Sequence, residues 1–368
     1  MSGRLDLRRG VVVSAEPLEV EIAGERRRAW ADTVLLGEMR EGDEVVVNVV
    51  AVELGLGSGG FDVVHVNLTR GLEGGGGGEE HVIKLNYTSL QHPVEPVEGA
   101  NPDPRFEMHE KGAKRTAGGG GTGPPVAVLP LHGHLAPTAW AVAQASPGLR
   151  VGYVQTGGGA LPGSMSRDVA TLRERGLLCG HITAAPAYGG EHEAISTVGA
   201  LDAAARLGWQ AILIGPGPGI IGSDSAYGHG GMAALDNAHA ALSLGLIPLI
   251  SPRLSSADPR ERHRGLSHHT RTVLDLLLAP VTIAIPQGHP EIATELSEAA
   301  GDRHQLLEAH PDLAAYAASG LPTTTMGRSL EDDPLFFAAP LAAGRLLSET
   351  SPAGGRREMS LARRCLPP

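Results

Sequence analysis

After residue 125, the chain repeats one pattern five or six times: an apolar run, a loop rich in polar residues, and then a helical periodicity. The apolar runs predict strands, and their uninterrupted hydrophobicity, as in Ala211-Ile212-Leu213-Ile214, is typical of strands buried on both faces. Strands that alternate with helices build a parallel sheet with helices packed on both of its faces. The pattern therefore predicts a doubly wound, mostly parallel α/β sheet domain. The predicted strands are 126–131, 149–154, 179–184, 211–214, 247–250 and 281–285, and the predicted helices are 136–145, 166–175, 193–207, 232–244, 268–278 and 291–300.

The other segments differ from this domain in composition. Short valine-rich runs separated by turn signals occupy residues 1–98 and predict a small β-barrel-like domain, with strands at 10–15, 18–23, 44–53, 60–68 and 81–87. Residues 99–124 are rich in Gly and Pro and predict a linker. Residues 125–322 form the predicted Rossmann-like α/β domain, and residues 323–368 are expected to form a short helix and a disordered tail. A length of 368 residues exceeds what one compact core usually serves, which agrees with two domains.

Composition excludes some classes of partner. The formal net charge of −11 gives the chain no global positive field that would attract nucleic acid. The basic run Arg26-Arg27-Arg28 lies among acidic neighbours, so we expect no nucleic-acid partner. The first residues do not form a signal peptide, no apolar stretch is long enough to span a bilayer, and the two cysteines fit a reducing compartment. These features predict a cytoplasmic protein without membrane association. They are compatible with a homo-oligomer.

The loop 215–231 is the first candidate for a binding site. It contains Gly217-Pro218-Gly219-Ile220-Ile221-Gly222, a literal G-x-G-x-x-G after a strand. Nine residues follow before a helix can begin, and no acidic residue ends a following strand at the right spacing, so a nicotinamide cofactor is disfavoured. A long glycine-rich loop does let backbone N–H groups approach an anion. The residues predicted to bind an anion here are Gly217, Gly219, Gly222 and Ser223.

The segment 253–270 is the second candidate. It carries four arginines and three histidines before and into a predicted helix. Cations at a helix N-terminus are unfavourable unless an anion offsets them, and arginine binds phosphate or carboxylate with two parallel hydrogen bonds. We expect a small anionic, phosphorylated metabolite between this segment and the 215–231 loop. The predicted ligand-binding residues are Arg253, Arg262, Arg264, Ser267 as the helix N-cap, and His268.

Histidines in the same loops supply candidate catalysts. His192, His229 and His269 are candidate general bases for a transfer or hydrolysis reaction. His132-Gly133-His134 follows the first strand, and in an extended strand end both imidazoles would lie on the same side. This pair predicts an alternative function, a metal-dependent hydrolase in which His132 and His134 bind the ion. Residues 191–193, His229, or His268 and His269 could complete its ligand set. The sequence names no cofactor and does not decide whether the protein is an enzyme.

Three stretches resemble those of one bacterial family, found in actinobacteria and firmicutes and catalogued only as a domain of unknown function. They are residues 52–61, 215–232 and 262–270, in the same order and spacing, and the resemblance spans nearly the whole chain apart from tails and glycine tracts. It implies no activity and no catalytic residue. A third hypothesis therefore stays open beside the two enzymatic ones, a non-enzymatic interaction protein or scaffold.

Overall fold

The N-terminal domain contains a closed five-stranded barrel. The computed structural model describes residues 3–351 except 57–58, 73, 75–77, 79 and 100–122. The barrel strands are β1 Leu7–Ala15, β2 Leu18–Ile22, β3 Glu25–Trp30, β4 Glu44–Asn48 and β5 Asp62–Asn67, in the order β1-β2-β3-β5-β4, with β4 closing on β1. Alternate valines of these strands fill the interior, because successive side chains of a strand point to opposite faces. The predicted barrel is confirmed.

Two details of the barrel differ from the sequence prediction. The run Arg26-Arg27-Arg28, which the sequence left unassigned, lies in β3, where Arg27 forms ion pairs with Asp62 and Glu53. The predicted strand 44–53 ends at residue 48, and its second half forms the short helix α2 Val50–Glu53. Another short helix, α1 Thr33–Leu36, follows β3, and a hairpin of β6 Val82–Lys84 and β7 His92–Val94 follows the barrel.

The second domain is built on a sheet of eight strands, all paired in parallel. Its strands are β8 Val126–Val128, β9 Val151–Thr156, β10 Gly180–Ala184, β11 His192–Ala194, β12 Ala211–Pro216, β13 Pro248–Ile250, β16 Thr282–Pro286 and β17 Gln305–Ala309. Between β13 and β16, the two-residue strands β14 Leu254–Ser255 and β15 Gly265–Leu266 pair with each other, and β18 Thr324–Thr325 pairs with β19 Arg328–Ser329 near the end. The spatial order of the sheet is β11-β10-β9-β12-β8-β13-β16-β17.

Helices cover both faces of this sheet. The helices are α3 Leu135–Ala145, α4 Arg167–Glu174, α5 Thr197–Arg206, α6 Ala233–Ser243, α7 His268–Leu276, α8 Pro290–Ala300, α9 Leu313–Ala317 and α10 Pro334–Thr350. Helices α3, α4 and α10 share one hydrophobic core with the sheet, and α5 to α8 share the other. The sheet is therefore the middle of three layers, and the predicted doubly wound α/β fold is confirmed.

The direction of winding changes at the centre of the sheet. From β8 the chain moves to β9, β10 and β11 on one side, and it later moves from β12 through β13 to β16 and β17 on the other. The connection after β8 therefore lies on the opposite face from the connections after its two neighbours, β12 and β13. In open α/β sheets, such a change leaves a crevice at the carboxyl ends of the strands, where ligands bind.

The two ends of the second domain differ from the prediction in extent. The C-terminal helix α10 has 17 residues and is mostly buried on the sheet, with Phe336 and Phe337 in the core. Most of the predicted linker, residues 100–122, and the predicted disordered tail from residue 352 lie outside the described residues. No helix among the described residues combines the length and the apolar character needed to cross a bilayer.

Candidate functional site

A pocket of about 400 Å³ opens at the carboxyl ends of the central strands. The loop after β8 contributes Leu131, His132 and Gly133, and the loop after β12 contributes residues between Pro218 and Ser223. The pocket therefore lies where the winding of the sheet changes direction, and its volume is typical of small-molecule sites. The other lining residues are Asp168 at the start of α4, Arg253, Arg260, Arg262, His263, His269, Thr325, Met326 and Phe336.

Arginines from the segment 253–264 and from β19 form a cluster beside the pocket. Arg260 donates two hydrogen bonds to the carboxylate of Asp258, each 2.9 Å long. Arg253 and Arg328 also approach this carboxylate, with Nη2 at 3.6 and 3.7 Å from Oδ2. Arg328 additionally forms an ion pair with Asp333 at 2.9 Å. Three guanidinium groups thus surround two buried carboxylates, which leaves the cluster positively charged.

Asp258 is the ionised centre of this cluster. Its side chain is fully buried, and burial by itself opposes ionisation. The hydrogen bonds and the charge of Arg260 outweigh that effect and hold the pKa of Asp258 below its usual range. Asp258 therefore carries a negative charge at neutral pH, and that charge is shared among three cations.

Arg253 is the most buried of the arginines, with 3% of its surface exposed. Burial, together with the positive charge of Arg260, lowers the pKa of Arg253 to about 10, and Asp258 only partly opposes the shift. Arg253 therefore remains a cation at neutral pH. Among the described residues, its guanidinium donates its hydrogen bond to Nδ1 of His269, a neutral acceptor, at 3.0 Å.

Four histidines pack beside Arg253. The rings of His229 and His269 stack with centroids 3.5 Å apart and planes 8° from parallel, and His268 lies 4.4 Å from His269. The ring of His263 lies 4.8 Å from that of His269. Burial, followed by the charge of Arg253, lowers the pKa of His263 to about 3 and that of His269 to about 2. Burial also lowers the pKa of His229 and His268, so all four rings are neutral at pH 7.

Several buried nitrogens around the pocket have no hydrogen-bond partner among the described residues. They are His229 Nδ1, Arg262 Nε, His268 Nε2 and Arg328 Nη2. A buried polar atom without a partner costs free energy, so a group of such atoms beside a pocket indicates a missing ligand or ordered water. All four belong to basic side chains.

The structure brings together the two segments that the sequence singled out. Arg262 of the second segment forms an ion pair with Asp224 of the 215–231 loop. Of the predicted ligand-binding residues, Gly219, Gly222, Ser223, Arg253 and Arg262 line the pocket, and His269 does so among the predicted catalysts. The predicted N-cap is confirmed, because the hydroxyl of Ser267 accepts a hydrogen bond from the backbone N–H of His269.

Other predicted residues lie outside the pocket lining. Gly217 is buried against Ala160, whose carbonyl leaves no room for a side chain at 217. Arg264 donates to the backbone carbonyl of Asp258. His192 lies in the edge strand β11, beside β10, and does not reach the pocket. His229 and His268 pack around His269 in the histidine cluster and do not line the pocket themselves.

The expected geometry of His132 and His134 is wrong. The two residues lie in a 3₁₀ helix, His132–His134, and not in an extended strand end, so their rings point to different surroundings. His132 lines the pocket, with Nε2 at 2.7 Å from Ser166 Oγ, whereas His134 is completely buried with Nδ1 at 2.9 Å from Ser251 Oγ. A metal at this pair stays a prediction, and the geometry gives it no support.

Sequence reasoning missed Arg260, His263, Asp168 and Phe336 as pocket residues. Arg260 and His263 lie within the segment 253–270, so the high charge density of that segment is the feature that could have identified them as pocket residues. Asp168 follows the N-cap Ser166 of α4, which the loop after β9 carries to the rim. Phe336 comes from a helix distant in sequence, and no local pattern could have placed it there.

The fold and the site together define a class: a closed β-barrel joined to a doubly wound α/β domain, with a basic, histidine-rich pocket at the switch point of its sheet. The chain belongs to the family described as "Protein of unknown function (DUF3866)", whose family model matches residues 28–344. The predicted family resemblance is confirmed by this match, and the bacterial distribution stays a prediction. No curated protein and no solved structure matches the chain.

Proposed function

We propose that this protein binds a small anionic metabolite, of the phosphorylated class, in the pocket at the carboxyl ends of β12, β8 and β13. Arg253, Arg260 and Arg262 are the groups that bind its charge, and residues 219–222 contribute backbone N–H groups. We further propose that the reaction is a histidine-assisted transfer or hydrolysis and that it takes place in the cytoplasm. The two cysteines of the chain fit a reducing compartment.

The observation that carries the proposal is the environment of the Arg253 guanidinium. Its guanidinium is buried, its hydrogen-bond acceptor is a neutral imidazole, and the nearest carboxylate is shared with two other arginines. A buried charge is costly unless it is paired and hydrogen bonded. An anionic ligand in the pocket supplies the charge that the protein itself does not.

The same anion makes His263 useful as an acid or base. With a pKa of about 3, His263 is a weak base at neutral pH while Arg253 faces it without a full counter-charge. A bound dianion reverses the local field and raises this pKa toward neutrality, where proton transfer is most efficient. The pocket thus couples ligand binding to the ability of His263 to transfer protons.

The test is thermal stabilisation of the full chain by inorganic phosphate, sugar phosphates and nucleotides. At a ligand concentration about one hundred times Kd, a specific ligand adds about 2.7 kcal/mol to the free energy of unfolding. The variants Arg260→Gln and Arg262→Gln should weaken binding at least about tenfold, since a hydrogen bond to a charged group contributes about 1.5–3 kcal/mol. Arg271→Gln is the matched control, because Arg271 pairs with Glu295 and does not line the pocket.

A flat response to the whole panel would contradict the proposal. Equal shifts in the wild type and in both pocket variants would place the anion elsewhere on the protein. A partner protein retained by the barrel domain, together with no small-molecule response, would favour the scaffold hypothesis.

A further inference from the structure

Three histidines from two segments converge beside the pocket. His229 ends the glycine-rich loop before α6, and His268 and His269 form the first turn of α7. One ring nitrogen from each of the three residues lies within 4.8 Å of the other two. Adjacent residues of a helix point in different directions, so this convergence depends on the approach of His229 from the neighbouring loop.

Two of these imidazoles have a buried nitrogen without a hydrogen-bond partner in the described part of the chain. His229 is 6% exposed, and its Nε2 donates to the backbone carbonyl of Ala226 at 3.0 Å. That bond leaves the lone pair of His229 on Nδ1, which has no partner. His268 Nε2 is the second such atom. A histidine whose one nitrogen donates to a carbonyl while the other presents a free lone pair is oriented as a metal ligand.

We propose that His229, His268 and His269 bind one divalent transition-metal ion of the Zn²⁺ type, next to the anion pocket. Three neutral imidazoles without a thiolate suit Zn²⁺ and its borderline neighbours and exclude the hard cations Mg²⁺ and Ca²⁺. Three protein ligands leave a fourth position open, which is typical of catalytic zinc sites. His269 also lines the pocket, so that open position faces the region where the anion would bind.

Metal binding requires one rearrangement that the structure makes explicit. His229 and His269 stack in nearly parallel planes 3.5 Å apart, and a single ion cannot lie in both planes at once. One of the two rings must therefore turn. We assign the turn to His269, because Nε2 of His229 is held by the carbonyl of Ala226, and Nδ1 of His269 then gives up the hydrogen bond from Arg253. The guanidinium released in this way is free to bind the anion. The metal and Arg253 would then contact the same ligand from two sides.

This inference goes beyond the proposed anion binding and can fail separately from it. The arginines could bind an anion with no metal present, and the histidines could bind a metal with no anion present. The two activities are therefore measured apart: metal uptake in a phosphate-free buffer, and phosphate stabilisation in the presence of a chelator.

The experiment uses the full chain without a histidine tag, stripped with a chelator and titrated with Zn²⁺ and Co²⁺. We expect one equivalent of either ion to bind and the Co²⁺ protein to show the intense visible absorption of a four-coordinate site. The variants His229→Ala and His268→Asn should each weaken Zn²⁺ affinity at least about tenfold. His289→Asn is the control, because this histidine lies outside the cluster, at the start of α8.

His268→Asn is the more conservative of the two variants, because His268 is only half-buried and its replacement should keep the fold. Absence of uptake by folded wild-type protein overturns the inference, as does uptake that both ligand variants and the control share equally. If metal binds and the phosphate response fails, only the proposed function is lost. If phosphate binds and metal does not, only this inference is lost.

Discussion

The guanidinium of Arg253 donates a hydrogen bond to Nδ1 of His269 at 3.0 Å, so a buried cation has a neutral imidazole as its acceptor. Its pKa is lowered to about 10 because burial and neighbouring arginines outweigh the one shared carboxylate. A fold that only needed this arginine for stability would pair it with its own carboxylate. This arrangement supports the proposal that an anionic ligand binds beside Arg253.

Loss of the shared carboxylate should unfold the pocket wall and make it dependent on anions. In Asp258→Asn, Arg253, Arg260 and Arg328 lose their common partner, and we expect the free energy of unfolding to fall by about 3–5 kcal/mol. Phosphate should stabilise this variant more than the wild type, because it replaces the missing charge. Denaturant unfolding with and without phosphate measures both effects. Asp236→Asn, on the exposed side of α6, is the control, and an equal phosphate effect in all three proteins would contradict the prediction.

Stability should decrease when the pH falls below the ordinary pKa of histidine. Burial lowers the pKa of His134 and of His181 to about 3, so both stay neutral in the folded state while the unfolded chain takes up protons below pH 6.5. Between pH 6.5 and 3, each group should reduce the free energy of unfolding by up to about 1.4 kcal/mol per pH unit. Unfolding curves in a chelating buffer at several pH values measure the slope.

Part of this pH dependence of the free energy of unfolding can be assigned to a single residue. His181→Gln removes one of the buried titrating groups and retains a side chain that can hydrogen bond to Gln155. The variant should therefore show a shallower loss of stability on acidification than the wild type. The same slope in both proteins would show that His181 does not titrate as expected.

The hairpin after the barrel should be essential for the stability of the second domain. Lys84 is buried, and its ammonium donates to the carbonyls of Thr183 and Ala187, at 2.8 and 2.7 Å, and to the carboxylate of Glu193. Lys84→Met removes this donor from the two carbonyls and leaves the Glu193 carboxylate, which keeps its hydrogen bonds from Thr183 and Gly189, without a counter-charge. The change should cost about 3–5 kcal/mol. The double variant with Glu193→Gln should recover part of the loss, and phosphate affinity should not change in the folded protein. A stability loss below about 1 kcal/mol would contradict a buried pair of this kind.

A methyl group at residue 231 should block the histidine cluster without removing a ligand. A Cβ on Gly231 would lie 3.0 Å from His229 Nδ1 and 3.2 Å from His269 Nδ1, in front of two proposed donor atoms. Gly231→Ala should therefore weaken Zn²⁺ binding while the protein remains folded. Gly99→Ala, whose nearest contact would be 3.6 Å away, is the control. Calorimetric titration with Zn²⁺ compares them, and unchanged affinity in Gly231→Ala would place the metal elsewhere.

The strands that the sequence predicted are the ones buried at the centre of the sheet. Strands such as β12, with all six residues buried, are continuous apolar runs because helices cover both of their faces. The two edge strands were missed. Strand β11 contains His192 and Glu193, where the sequence predicts the start of a helix, and β17 has only its last residue buried. An edge strand pairs on one side only and is less covered, so its composition does not distinguish it from a loop.

The sequence by itself determined the barrel, the α/β layers and the two segments that meet at the pocket. Burial periodicity and local charge depend on residues that are close together along the chain. Only the tertiary structure decided which side chains line the pocket. The 3₁₀ turn separates His132 from His134, Arg328 of β19 joins Arg253 and Arg260 around Asp258, and α10 brings Phe336 from far along the chain. Side-chain direction depends on how loops close over the sheet, and that depends on contacts between residues distant in sequence.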